Sequence, residues 1–311
     1  MCYSAEVWAD YHKYEREFGT GLNIREFVQL FGRQDKNGKW YIPKALEAAF
    51  LHPKTDEERA IKAMIDAHVQ AETQRFEQEL FGQKTRLNDA ERKLQTKETK
   101  AARESVRIAT NKIDKAKVAL DDLRRTELKP RDSRIFPGWY APVMVSEGGR
   151  RVVRPMRYGC RPSGKPANYD QRYPGTYNAR RDNLEGFWRE QFGYTHGIMV
   201  CTTFYENVEG PDGKNQVVQF TPRTGEPMFI ACLWSHWTDP KGVEPDLLSF
   251  AAITDEPEPE VAAAGHDRTI INIKPEHIEA WLNPDPANLA ALYAIFNDKQ
   301  HPYYEHQRQA A

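Results

Sequence analysis

The chain has 311 residues, of which 40% are hydrophobic and 29% charged, and its formal net charge is −1. An aromatic content of 11% excludes a disordered chain despite a mean hydropathy of −0.76, and the length suits one large or two ordinary domains. A near-neutral chain has no global basic field, so any nucleic-acid site must be local, as in the arginine-rich stretch 150–181.

The chain opens "MCYSAEVWAD". Its first 20 residues are charged throughout, unlike a secretory leader, and no apolar run reaches membrane length. Four cysteines (Cys2, Cys160, Cys201 and Cys232) form no CxxC pair. Neither a zinc site nor another cofactor is expected, and the chain reads as cytosolic with reduced thiols. Cys2 has two readings. A free cysteine is most often a small buried apolar residue; a cysteine exposed by removal of Met1 would carry both an α-amine and a thiol.

Residues 1–54 mix short helical patterns, "NIREFVQLFG" and "IPKALEAAFL" among them, and end at His52-Pro53. Residues 55–127 contain no proline, one glycine (Gly82), and 16 Lys+Arg against 15 Asp+Glu. Phe76, Leu80, Leu87, Ala90 and Leu94 fit one apolar stripe, and Ala102, Val106, Ala109, Ile113, Ala116, Leu120 and Leu123 fit another. Their alternating steps of four and three mark a coiled-coil seam. One continuous helix here would end roughly 110 Å from its start. If the flanking segments share a domain, the chain must return, so the pattern predicts an antiparallel hairpin turning near Thr96–Lys100. Its second helix would have about 27 residues, at 1.5 Å of rise each. Such an arm suits self-association or a protein partner; the plainer reading is a solvated decoration.

From Lys129-Pro130 onward the pattern turns to strands: "APVMVS", "RVVRPMRYG", "HGIMVCTTFYENV", "QVVQFTP", "PMFIACLW", "LLSFAAIT" and "TIINIK". Gly210-Pro211-Asp212-Gly213 is a turn signal. "KPEHIEAWL" and "PANLAALYAIF" read as helices and "QHPYYEHQRQAA" as a loose tail. The expected fold is α+β: a mostly antiparallel β core or barrel with flanking helices, built from 1–54 and 128–311, with 55–127 inserted as the helical arm.

Asn178 in "GTYNARRDN", Glu206 in "TTFYENV" and His266 in "GHDRTIINI" stand out beside Cys2. Singly each has a bland explanation: a helix cap at Ala179, a solvated strand-end charge, a loop anchor. In order along the chain, however, "MC", "RPMRYGCRP", "YNARRDNLEGF", "GIMVCTTFYENV", "PMFIACLWSHW", "FAAITDEP" and "HDRTIINIKPEHIEAWL" resemble the motifs of the SOS response-associated peptidase (SRAP) family. The resemblance covers residues 1 to about 50 and 131 to 283. Arm 55–127 has no counterpart in the usual family form.

The resemblance implies covalent cross-linking to abasic sites in single-stranded DNA, with Cys2 as nucleophile, Asn178 positioning it, Glu206 as acid/base and His266 as proton shuttle or phosphate-side aid. It implies no cofactor or membrane, and a nucleoid-associated location if DNA is the substrate. Arg180, Arg181, Arg161 and Tyr158 are the expected DNA contacts, arginine for phosphates and an aromatic for an unstacked base. An α-amine, with pKa about 8, adds to an aldehyde more readily near neutrality than lysine does, and a 1,2-aminothiol can then close a thiazolidine. Departures fall on the DNA-holding positions: Tyr3-Ser4 replaces Gly-Arg, Asn207 replaces Trp, Thr269-Ile270 replaces Met-Pro, and Tyr158 replaces Trp. Two further readings stand beside this one: a thiol peptidase acting on peptide bonds, its own N terminus among them, and a non-catalytic partner-binding protein working through the arm.

Overall fold

A computed structural model describes residues 3–32, 40–210 and 213–308. Cys2, the expected nucleophile, lies outside the described residues. Two compact units are present, one formed by Met1–His52 with Lys129–Ala311 and the other by Pro53–Leu128.

In the first unit the strands are β1 (Ser4–Val7), β2 (Gly21–Leu22), β3 (Arg134–Ile135), β4 (Tyr140–Glu147), β5 (Arg150–Tyr158), β6 (Asn178–Arg180), β7 (His196–Glu209), β8 (Asn215–Pro222), β9 (Met228–Trp237), β10 (Leu247–Asp255), β11 (Thr269–Ile270) and β12 (Tyr304–Arg308). All belong to one mixed sheet. Its ladder closes on itself through β10, β5, β4, β7 and β9, which pairs back to β10. The expected α+β fold with a mostly antiparallel barrel is what forms; within the ring only β10–β5 is parallel.

The near-continuous apolar run of β7 follows from its place in this ring, where it is buried along almost its whole length. Val143, Met144, Ile198, Val200, Leu233 and Phe250, from both faces of these strands, are completely buried. Gly197 is required where β4 crosses β7, because a Cβ there would lie 2.8 Å from Val143 Cγ1 and 3.3 Å from the Met144 carbonyl oxygen.

Helices α1 (Tyr11–Phe18), α2 (Ile24–Phe31) and α3 (Lys44–Ala48) precede the arm. In α1, Asp10 caps the first turn through His12 N–H, 3.0 Å away, and Gly19 ends it at φ 60°. The second unit is α4 (Asp56–Thr96) and α5 (Lys100–Arg124), breaking within the expected turn. Thr55 and Glu58 form a capping box at the start of α4. Ala102, Ala109, Ile113, Ala116 and Leu120 of the expected second stripe are buried, whereas only Ala90 of the first stripe is fully so. The remaining helices are α6 (Tyr169–Arg172), α7 (Pro259–Ala263), α8 (Ile278–Leu282) and α9 (Leu289–Asn297).

Two expectations are corrected. The tail is not loose: Tyr304–Arg308 pairs along β8 from Tyr304↔Pro222 to Arg308↔Val218. "TIINIK" supplies only the two-residue β11, its next residues continuing through single contacts such as the Ile230↔Asn272 bridge. No helix of the described residues is long and apolar enough to cross a membrane.

Candidate active site

The start of the chain enters the sheet beside β7. Ser4 faces Tyr205, Ala5 faces Phe204, and Tyr3 N–H donates to the Tyr205 carbonyl at 3.1 Å. The next β7 residue is Glu206, only 1% exposed. Burial pushes its carboxyl up to about 8, against a partial pull downward from the Tyr3 backbone N–H among other groups. At pH 7 this side chain is therefore mostly a neutral acid.

His266 meets it from another part of the chain. The turn after α7 passes Gly265, at φ 98°, against the end of β7: a Cβ on that glycine would lie 4.0 Å from Val208 Cβ. His266 Nε2 then sits 3.5 Å from Glu206 Oε2. Its Nδ1 lies 2.9 Å from the Arg268 carbonyl oxygen and 3.3 Å from the Arg268 N–H. The two contacts favour opposite tautomers. The shorter one, to an atom that can only accept, assigns the proton to Nδ1 and aims the Nε2 lone pair at Glu206. Burial also lowers the His266 pKa. A protonated carboxyl thus faces a neutral imidazole nitrogen, an arrangement able to release a proton and recover it.

Asn178, 6% exposed, is not a helix cap but the first residue of β6, which runs parallel to β10 from Ala252↔Asn178 to Thr254↔Arg180. On its other flank the same Thr254 pairs with Ile270 of β11, the strand that follows His266. The C-terminal end of β10 therefore joins the Asn-Ala-Arg segment to the His-Asp-Arg turn. Arg180 is half-exposed and paired with Asp182 at 2.6 Å, and Arg268 Nη2 approaches the same carboxylate at 3.9 Å.

Of the other expected DNA contacts, Tyr158 and Arg161 are buried and Arg181 is half-buried, each held by neighbours within the fold. Tyr158 is 1% exposed and stacks on Phe250 at 5.2 Å. Arg161 grips Asp170 at 2.7 Å beneath the Trp237 ring, and Arg181 reaches Asp255 at 2.8 Å and lies over Tyr293 and Phe296. Much of the arginine-rich stretch is neutralised likewise, Arg151 by Glu279, Arg154 by Glu26 and Glu147, and Arg157 by Asp170. Its local basic field is far weaker than its composition suggests.

Sequence reasoning missed Arg134. Its Nε donates to Ser4 Oγ at 3.0 Å, and its guanidinium lies 3.5 Å from the Tyr205 ring centre. The partners are 130 residues apart; the only available hint was the serine standing where an arginine was expected. Among the described residues no group of three or more His, Cys, Asp or Glu side chains could hold a metal.

No curated protein sequence matches the chain. Solved structures similar to it include a protein from Bordetella bronchiseptica, 19% identical over 60% of this chain and 90% of that one, with a TM-score of 0.47. Another is from Bacteroides thetaiotaomicron, 18% identical over 57% of this chain and 77% of that one, with a TM-score of 0.48. A third is a phage-related protein of Bordetella bronchiseptica, 21% identical over 60% and 85%, with a TM-score of 0.43. The model of the family described as SOS response associated peptidase (SRAP) matches residues 92–309. That span starts beyond Cys2 but takes in Asn178, Glu206 and His266, and over it the chain belongs to the SRAP family.

Proposed function

We propose that this chain, with Met1 removed, cross-links through Cys2 to abasic sites in single-stranded DNA. The observation that carries the proposal is the buried Glu206–His266 pair at 3.5 Å, beside the strand that begins two residues after Cys2. The α-amine of Cys2 adds to the ring-opened aldehyde, forming a C–N bond and a hydroxyl on carbon. Loss of that hydroxyl as water needs a proton, which a carboxyl with its pKa near 8 holds at neutral pH. The thiol then adds to the resulting imine; the new C–S bond closes a five-membered ring, and the S–H proton ends on nitrogen. His266 Nε2 exchanges the proton with Glu206, Asn178 orients the terminus without titrating, and Arg180 holds a phosphate.

The test mixes the protein with a single-stranded oligonucleotide containing one abasic site, with intact-mass analysis to establish removal of Met1. A heat-stable adduct at the summed mass less one water is expected. It should be absent with Cys2→Ala and slowed about 10²-fold or more with Glu206→Gln, the usual size of a lost acid/base catalyst. Correctly processed protein that gives no adduct overturns the proposal and returns attention to peptidase and partner-binding readings.

A further inference from the structure

Next to the chain start lies a group of aromatic rings that the chemistry above does not use. Tyr3 is 38% exposed, and its ring meets Phe136 edge to face, with centres 5.7 Å apart. Phe136 in turn meets Trp139 at 6.1 Å, and both are half-buried. These two rings are held by a tight turn: Trp139 N–H donates to the Phe136 carbonyl at 2.9 Å, Pro137 follows Phe136, and Gly138 takes φ 96°. Proline followed by a positive-φ glycine is the type II pattern, which brings residues i and i+3 together with little freedom left. The aromatic pair is therefore preformed.

Arg134 supplies charge at the same edge. Its guanidinium is 5.0 Å from the Phe136 ring centre and 3.5 Å from that of Tyr205, and Ser4 holds its Nε. The pairing of β1 with β3, Ala5↔Ile135 and Glu6↔Arg134, ties this edge to the strand that Tyr3 immediately precedes. The adjacent carboxylate, Glu6, is engaged by the Tyr205 hydroxyl. Aromatic faces interleaved with a fixed guanidinium bind single strands by stacking bases and pairing phosphate, with little regard to sequence.

We propose that Tyr3, Phe136, Trp139 and Arg134 form a flanking-nucleotide subsite. A base beside the abasic position stacks on the aromatic rings, and its phosphate docks on Arg134. The subsite's role next to a reacting aldehyde rests on the cross-linking reading; its capacity to bind single-stranded DNA does not.

Two measurements on the same proteins separate these claims. The first is the Kd for a fluorescent single-stranded oligonucleotide carrying a tetrahydrofuran abasic analogue, which lacks the aldehyde, at several salt concentrations. The second is adduct yield with the true abasic site. Trp139→Ala and Phe136→Ala should each raise Kd about tenfold, in the range for loss of one stacked base. Arg134→Gln should weaken binding and flatten the salt dependence by about 0.7 in log–log slope, one single-strand phosphate contact; Arg134→Lys should keep that slope. Removing the flanking nucleotides should weaken wild type more than Trp139→Ala, a comparison that holds even where a variant loses some stability. If wild type forms the adduct and every variant keeps wild-type Kd, salt slope and flank dependence, the subsite is overturned and cross-linking stands. If binding falls as expected while no adduct forms, the subsite stands and cross-linking falls. Absence of both binding and adduct overturns both.

Discussion

Glu206 and His266 make opposite demands on stability as pH changes. The Glu206 carboxyl, pushed up to about 8 from its ordinary 4.5, holds its proton in the native state between those values while the unfolded chain has released it. Where the native state binds more protons, stability falls as pH rises, by about 1.4 kcal/mol per pH unit for one fully linked proton. His266, lowered from 6.5, works the other way: below 6.5 the unfolded chain binds the extra proton, so stability rises with pH. Between pH 6.5 and 8 the glutamate acts without that opposition. Thermal denaturation across this window should show stability declining with pH in wild type and declining less in Glu206→Gln, where Glu47, raised to about 7, keeps a similar linkage over the first part of the window. Parallel declines in the two proteins would show that Glu206 titrates as an ordinary carboxylate. The contact behind this behaviour was hidden in the sequence. Glu206 and His266 each looked like one polar residue among many, and their 3.5 Å approach depends on a turn packing against the far end of β7.

Among the elements, the two long helices were the most legible, because charge balance, absence of proline and apolar spacing all agree with one structure. Their break at Thr96–Lys100 falls where the stripe lapses. Ala109 is wholly buried within the second stripe, where a small side chain permits close approach. Ala109→Glu would bury a charge there without a partner; the expected result is loss of the arm's cooperative helical melting and early proteolysis between residues 55 and 127. Unchanged circular dichroism and protease resistance would mean that the seam tolerates a charge. Edge elements were less legible. "YYEHQR" is too polar and too close to the chain end to read as a strand, and it becomes one because β8 offers an unpaired edge. Tyr158 misled in the opposite direction: its ring suggested a base-stacking surface, but strand alternation and Phe250 place it in the core.

At the scale of the molecule, the arm separates two segments that meet in the first unit. Helix α3 packs against the 3₁₀ turn Pro130–Ser133, and Asp132 lies close enough to the half-buried Glu47 to help keep its carboxyl protonated, desolvation being the main cause of its rise to about 7. A short Gly-Ser linker replacing 53–128 therefore has a small gap to close, and loop-closure entropy grows only slowly with length. Every candidate catalytic residue, and all four residues of the proposed subsite, belong to the unit that would remain. The family match makes the outcome informative, because it begins at residue 92 and so includes α5 along with strands β3 to β12. The shortened chain is expected to unfold cooperatively and to form the abasic-site adduct at a rate within about threefold of the full chain, the spread ordinary for a change outside the site. A folded product without adduct formation would make α4 and α5 part of the working site, and an unfolded one would make them part of the core.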